Sequence, residues 1–451
     1  MTSRQRRLVG TTPQRRGRSS RVSSRRTRDA AERPMAESEV ETSTTTPRSW
    51  LTPTVWGVAL TSFLSDAGHE AGTAILPLFL AAIGAPPVAL GAIEGIADGL
   101  SSGAKLIAGW WGDRVARRKP IVVVGYALTG FSVGLFALAT SWPFVLVARA
   151  VGWLGRGVRG PLRDAILVDA VPPGARGRAF GFHRTGDTLG AIVGPLLALA
   201  LLALLGHGAP VVSSYRWLFA LAMIPGILSA LTFALTVREG RRVIDNPHGF
   251  LAAFGALPPA FRTYLVGVAL FGAGDFAHSL LTLRASQVLA PTLGAARAGQ
   301  IAVGLYILHN SLYAVASYPI GVLADRFNPR RLLALGYVLM GVMALLLMQS
   351  SSALVNLASI FVFGGLAIAA EDTLEGTVAA QLLPAALRST GYGALAAVNG
   401  LGDTLSSLVV GFLWTAVTPA AGFAYTVVLS LAGAAVVWWG ARGHARRGSA
   451  S

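Results

Sequence analysis

From residue 53 onward the sequence is a succession of apolar stretches, each long enough to cross a bilayer, which takes about 20 predominantly apolar residues in a helix. Such stretches occupy 53–81, 87–111, 121–140, 143–170, 179–206, 215–237, 263–290, 298–323, 332–350, 353–382, 389–417 and 419–441, separated by short Gly, Pro and Arg punctuation. In lipid every backbone N–H and C=O must find a partner within the protein, so apolar runs of this length are expected to be helices. The expected fold is therefore an all-α membrane protein of twelve transmembrane helices. With 53% hydrophobic and 13% charged residues among 451, and a mean hydropathy of +0.57, the chain carries more apolar surface than one soluble core could hide. Soluble domains average roughly 25% charged residues.

Cysteine is absent, which excludes disulfides, thiolate nucleophiles and cysteine metal sites. A net charge of +17 would suit a nucleic-acid binder, but 12 of the 38 basic residues lie between Met1 and Arg48, and the rest border apolar segments. No nucleic-acid partner is expected. The stretch 1–49 is rich in Arg and Ser without apolar periodicity, and is read as a disordered basic cytoplasmic tail. It lacks the apolar core of a secretory signal, and the start is open between Met1 and Met35.

Short loops rich in Lys and Arg stay on the inner side of a membrane. Arg114, Arg117, Arg118 and Lys119 fill one loop, Arg326, Arg330 and Arg331 another, and Arg238, Arg241 and Arg242 a third, whereas the opposite loops carry only Arg216 and Arg297. With six spans per half, both termini fall on the basic side, which also holds Arg442, Arg446 and Arg447. The expected organisation is a six-helix bundle at 50–237, a cytoplasmic connector at 238–261, a second bundle at 262–442 and a tail at 443–451, in the inner or plasma membrane with both ends cytoplasmic.

The two halves are copies. GWWGDRVARRK at Gly109 returns as GVLADRFNPRR at Gly321, 212 residues later, and the same offset pairs Arg176 with Arg388 and Gly181 with Gly393. GDTLGAIVGPLL at Gly186 overlies GDTLSSLVVGFL at Gly402 after a four-residue insertion, and Asp66/His69 match Asp275/His278 at an offset of 209. An even number of spans gives both copies the same orientation, so the repeat is parallel about an axis along the membrane normal, with a binding site expected at mid-depth between the halves.

These residues resemble the major facilitator superfamily, whose loop between the second and third helices reads Gly-x-Leu-Ala-Asp-Arg-x-Gly-Arg-Lys. Gly109, Asp113, Arg114, Arg117 and Arg118 fit that pattern, while Trp111, Gly112 and Ala116 depart from it; the second copy keeps Gly321, Leu323, Ala324, Asp325 and Arg326 but has Asn328 and Pro329. The resemblance covers about residues 50–442. It implies a secondary transporter, with Asp113 as a latch that closes the cytoplasmic side against the amino end of the eleventh helix, where the dipole is positive. Arg388 there is expected to reinforce it, Asp325 is expected to face Arg176 and the fifth helix, and loop arginines to reach Asp164 or Asp169. Gly186, Gly190, Gly194 and Pro195 approximate a pattern associated with drug and proton antiporters, although small residues every fourth position equally let helices approach closely.

Sixteen acidic residues follow the tail and twelve lie inside apolar segments, where a charge costs at least about 2.5 kcal/mol. Asp66 and Glu70 in the first span, and Glu94 and Asp98 in the second, are four apart and so share a helix face. Arg156, Arg159 and Arg163 line one face of the fourth span, and are expected to face those acids. The 212-residue offset sets Glu371 and Glu375 against Arg159 and Arg163, which predicts an electrically polarised cavity. Asp187, Asp275 and Asp403 complete the proton-coupling or substrate-cavity candidates, with Arg184, His69, His278, Tyr306, His309, Asn310, Tyr313, Arg284 and Asn399 as further ones. No metal-ligand spacing and no cofactor signature stand out, and no Ser/His/Asp ordering or phosphate loop points to an enzyme. The expected partners are a small-molecule substrate, protons and the lipid bilayer, for a monomer. The leading expectation is proton-coupled efflux of small organic molecules; the alternatives are import of an anionic metabolite or metal chelate, and a non-transporting receptor.

Overall fold

The computed structural model describes residues 50–85, 87–205, 211–242, 244 and 249–440; the expected tails at 1–49 and 443–451 lie outside the described residues. The first half runs α1 (Pro53–Ala82), α2 (Pro87–Gly112), α3 (Lys119–Leu135), α4 (Trp142–Asp169), α5 (Arg176–Leu205) and α6 (Val211–Thr236). A short α7 (Phe250–Gly255) belongs to the connector. The second half is α8 (Pro259–Gly272), α9 (His278–Leu293), α10 (Ala295–Arg326), α11 (Pro329–Met348), α12 (Leu354–Leu382), α13 (Arg388–Ala416) and α14 (Pro419–Gly440). Among the described residues no strand occurs. Seven of these segments are long and apolar enough to cross a membrane by length and composition alone. The helices outside that set include α1, α2 and α4, which carry the acids and arginines singled out above.

The helix exteriors are apolar, with Val147 63% and Phe412 68% exposed, which suits a surface in contact with lipid. In the first half α1 packs on α5 and α6, and α3 on α4 and α6; in the second α10 packs on α12, and α14 on α8 and α11. Glycines set the closest of these contacts. A Cβ added at Gly186, Gly190 or Gly194 would stand 2.7, 2.4 and 2.7 Å from the carbonyl oxygens of Ala59, Phe63 and Ala67. The glycine pattern of α5 is thus occupied by its contact with α1, with Pro195 inside the same helix.

The seventh span differs from its expected continuous form. The helix stops at Gly272 and restarts at His278, with tight turns from Gly274 N–H to Phe271 C=O (2.8 Å) and from Asp275 N–H to Gly272 C=O (3.1 Å). Gly272 lies against Gly402, whose added Cβ would sit 2.7 Å from the Gly272 carbonyl carbon. The freed Ala277 N–H donates to Ser407 Oγ (3.1 Å), so the break is satisfied by α13 rather than by solvent. Its repeat partner α1 is unbroken around Asp66.

The connector begins by serving the first half. Glu239 accepts hydrogen bonds from the backbone N–H of Arg118 (3.0 Å) and Lys119 (2.7 Å), capping α3. At the equivalent start of α11 the cap is local, with Asn328 accepting from Arg330 N–H (3.0 Å). Two copies of one loop therefore satisfy the same orphan donors from different places in the chain.

Candidate functional site

The inter-half approaches at Gly109, Gly177, Gly181, Gly321 and Gly393 lie toward the end that carries the basic loops. Gly109 meets Ser389 and Gly393 where α2 crosses α13, and Gly177 and Gly181 meet Gly321 and Ser317 where α5 crosses α10. Further from that end a cavity of about 410 Å³ opens between the halves. It is lined by Asp98, Ser101, Ser102 and Lys105 of α2, by Trp153, Arg156, Arg159, Arg163 and Asp164 of α4, by Arg184 and Asp187 of α5, and by Asn399, Gly400, Asp403 and Thr404 of α13. Gly160, Pro161 and Ala396 complete the lining, so only Trp153, Pro161 and Ala396 offer apolar side chains.

The charges of this cavity are paired. Asp66 Oδ1 lies 3.4 Å from Arg156 Nη2 and 3.8 Å from Arg159 Nη2. Arg159 also donates to Ser65 Oγ (2.8 Å) and lies over the Tyr126 ring, 4.0 Å from its centroid. Arg163 pairs with Asp164 at 2.9 Å, and Arg184 with Asp187 (3.4 Å) and Asp372 (3.6 Å). Lys105 is within electrostatic reach of Asp403 and Asp98, and Glu70 of Arg156. The acids of α1 thus meet the arginines of α4, whereas Asp98 shares the wall with Lys105. The Glu94 side chain lies outside what is described.

The second half places its acids differently from the expected mirror image. Glu371 and Glu375 are buried and do not line the cavity. Glu375 instead accepts hydrogen bonds from Tyr337 (2.5 Å) and Asn399 (2.5 Å), and Tyr264 donates to its backbone carbonyl (3.1 Å). The Tyr337 hydroxyl and the Asn399 amide thus hold that carboxylate within the second bundle, where Glu375 has no counterpart of the Arg163 place in the cavity wall. Asp275 sits at the break of the seventh span, outside the lining. His69 lies 3.5 Å from Thr73 Oγ1 and its ring is 5.1 Å from that of Trp153; the rings of His278 and His309 are 4.7 Å apart.

At the basic end the two repeats make the same contact twice. Asp113 accepts from the N–H groups of Ser389 (3.0 Å) and Thr390 (2.7 Å) at the start of α13, and Asp325 from those of Gly177 (2.8 Å) and Arg178 (3.2 Å) at the start of α5. Arg118, wholly buried, bridges Asp113 (3.2 Å) and Asp169 (2.8 Å), and Arg388 also pairs with Asp169. The side-chain partner of Asp325 is Arg178 (2.7 Å); the expected Arg176 donates instead to the Ala380 carbonyl (2.7 Å), because it stands two positions earlier and on another face of α5. Arg388 is correspondingly bound to Asp169 rather than to Asp113. Arg114 folds over the Trp110 ring, and Arg117 and Arg326 are exposed. Lys105, Arg178, Glu239 and Asp372 escaped the sequence reading. A basic residue in a span is the one signal that would have flagged Lys105; Arg178 and Glu239 sit in runs that read as topology charge.

Two bundles joined face to face, with a charged cavity between them and the same aspartate-to-helix-start contact made twice at one end, define a membrane transporter of the two-repeat kind. The sequence model of the Major Facilitator Superfamily matches residues 58–293 and 276–450, and the chain belongs to that family. It is similar to an uncharacterised MFS-type transporter of Methanocaldococcus jannaschii, 28% identical over 385 residues that cover 84% of this chain and 93% of the relative. A shorter match, 33% identical over 84 residues, joins 19% of this chain to 21% of the multidrug resistance protein MdtH of Aeromonas salmonicida. Among solved structures the E. coli fucose:proton symporter FucP shares the fold, with a TM-score of 0.71 at 15% identity over 87% of this chain and 99% of that one. The chain is thus a multi-pass membrane transporter of this superfamily.

Proposed function

We propose that the chain is a proton-coupled secondary transporter of small organic molecules, working as a monomer in the cell membrane by alternating access and exporting its cargo in exchange for protons. In this reading the basic loops and both termini are cytoplasmic, and Asp113, Asp325 and the glycine crossings hold the cytoplasmic side shut while the cavity faces outward. The observation that carries it is Asp66, buried and paired with Arg156 and Arg159, both of which line the cavity. A proton on Asp66 removes the charge that holds Arg156, and its departure restores the ion pair, which links protonation to the groups that face the cargo. Efflux is favoured by the short match to MdtH and by the glycine pattern of α5, although that pattern is also accounted for by packing on α1.

The test is flux in proteoliposomes of the purified protein across a panel of labelled metabolites and drugs. An antiporter accumulates its cargo when the lumen is made acidic, and a protonophore abolishes the accumulation. Accumulation only with an alkaline lumen identifies a symporter, the reading that a densely charged cavity suits. In either case Asp66→Asn is expected to uncouple flux from the gradient; full coupling in that variant contradicts the proposed pair.

A further inference from the structure

Two residues of the cavity wall each hold a buried donor for which no described residue supplies an acceptor. Arg156 uses Nη2 toward Asp66, but its Nη1 has no acceptor, and neither has the indole Nε1 of Trp153. Both residues line the cavity, and they stand three positions apart on α4, on one face of the helix. Their relative placement is held: the Arg156 guanidinium carbon lies 5.0 Å from the centre of the Trp153 ring, and that of Arg149 4.9 Å from the same ring. A buried donor left without an acceptor is costly, so two side by side at the wall of a cavity are a site waiting for an acceptor.

We propose that Arg156 and Trp153 ligate a carboxylate of the transported molecule, and that the cargo is a small hydrophilic carboxylic acid rather than a lipophilic drug. Arg156 Nη1–H and Trp153 Nε1–H donate to the carboxylate oxygens, the pairing in which charge-assisted hydrogen bonds are strongest. A single negative charge fits better than a dianion, because Asp98 and Asp403 also border the cavity and repel further charge. Those same acids accommodate an ammonium group at the far end of the molecule, so zwitterions are within the class. A lipophilic cargo would strip water from the charged groups of α2, α4, α5 and α13 and return only the contacts of Trp153, Pro161 and Ala396. The cavity, at about 410 Å³, is within the roughly 300–1,000 Å³ of small-molecule sites.

This inference rests on the transporter reading, and binding and flux separate the two. Binding to the purified full-length protein is measured with matched pairs that differ only in the carboxylate, nicotinate against nicotinamide and 4-aminobutyrate against its amide, and with tetraphenylphosphonium as the lipophilic comparison. A carboxylate is expected to bind at least about tenfold more tightly than its amide, and tetraphenylphosphonium not to compete. Arg156→Lys, which keeps the charge, and Trp153→Phe, which keeps the ring, are each expected to remove most of the preference for acid over amide. Amides or tetraphenylphosphonium bound as tightly as the acids, or no acid bound at millimolar concentration, overturn the inference; should a variant fail to fold, the wild-type pairs alone decide. Carboxylate binding that depends on Arg156 and Trp153 without flux of any probe sinks the transporter reading and leaves the subsite standing.

Discussion

Asp113 shows how much one side chain can hold at the interface of the halves. Its two oxygens take the N–H groups of Ser389 and Thr390, and one of them also takes Arg118, whose side chain and that of Asp113 have no exposure at all. A buried guanidinium left without its full complement of acceptors is expensive, but Asp169 still holds Arg118 when Asp113 is neutralised. Asp113→Asn is therefore expected to cost about 1–3 kcal/mol, read as a lower melting temperature in detergent, together with slower flux. The matching Asp325→Asn is expected to cost less, because its partner Arg178 is a third exposed and the pair is screened by water. Equal losses at the two positions would contradict this ranking. The position of Asp113 opposite a helix start is legible in the sequence, since the duplication supplies two aspartates and two helix starts at the same offset. The choice of Arg178 over Arg176 is not, because neighbouring residues on a helix end differ in direction only once the crossing angle of α5 and α10 is known.

At the scale of the helix, the α5 glycines act by letting backbone meet backbone. Of the three that meet α1, Gly190 is the tightest, with 2.4 Å between an added Cβ and the Phe63 oxygen, so Gly190→Ala is expected to destabilise by roughly 1–3 kcal/mol; a melting temperature equal to wild type would show that α1 can move aside freely. Glu239 makes a second case. Glu239→Ala removes the acceptor at the start of α3 and is expected to cost about 1 kcal/mol, much as Asn328→Ala should at α11. Thermal unfolding checks both, and a loss at Asn328 alone would mean that the connector only rests on α3. Helix positions were readable because apolar length and Gly, Pro and Arg punctuation are local signals. The break at 273–277 was not, because two glycines in an apolar run fit a continuous helix equally well, and only the contact of Gly272 with Gly402 and the acceptor that Ser407 offers to the Ala277 N–H decide otherwise.

For the whole molecule, the parallel repeat sets the architecture: α2 crosses α13 and α5 crosses α10 through equivalent glycines, and equivalent aspartates cap the helix starts across each crossing. The repeat was visible in the sequence at four registers, which made the two-bundle fold legible. It was a poorer guide to the cavity. Symmetry set Glu371 and Glu375 against Arg159 and Arg163, but hydrogen bonds from Tyr337 and Asn399 hold Glu375 out of the wall, so the cavity is charged mainly by the first half and by Asp403. Sequence symmetry constrains where backbones run, while side-chain direction follows from neighbours that the two copies no longer share.

The central claim is that the halves rock about this cavity, open at one end and latched at the other. The absence of cysteine makes the chain suited to testing it, since introduced thiols are the only labelling sites. Spin labels at Leu204 and Val417 would report the end away from the basic loops, and labels at Arg117 and Arg326 the basic end, by double electron–electron resonance in lipid nanodiscs. Shifting pH with saturating cargo is expected to shorten the first distance as the second lengthens, with Asp113→Asn biasing the population toward the long basic-end distance. Distances at both ends that stay fixed, or that change in the same sense, under every combination of pH and cargo would contradict the account.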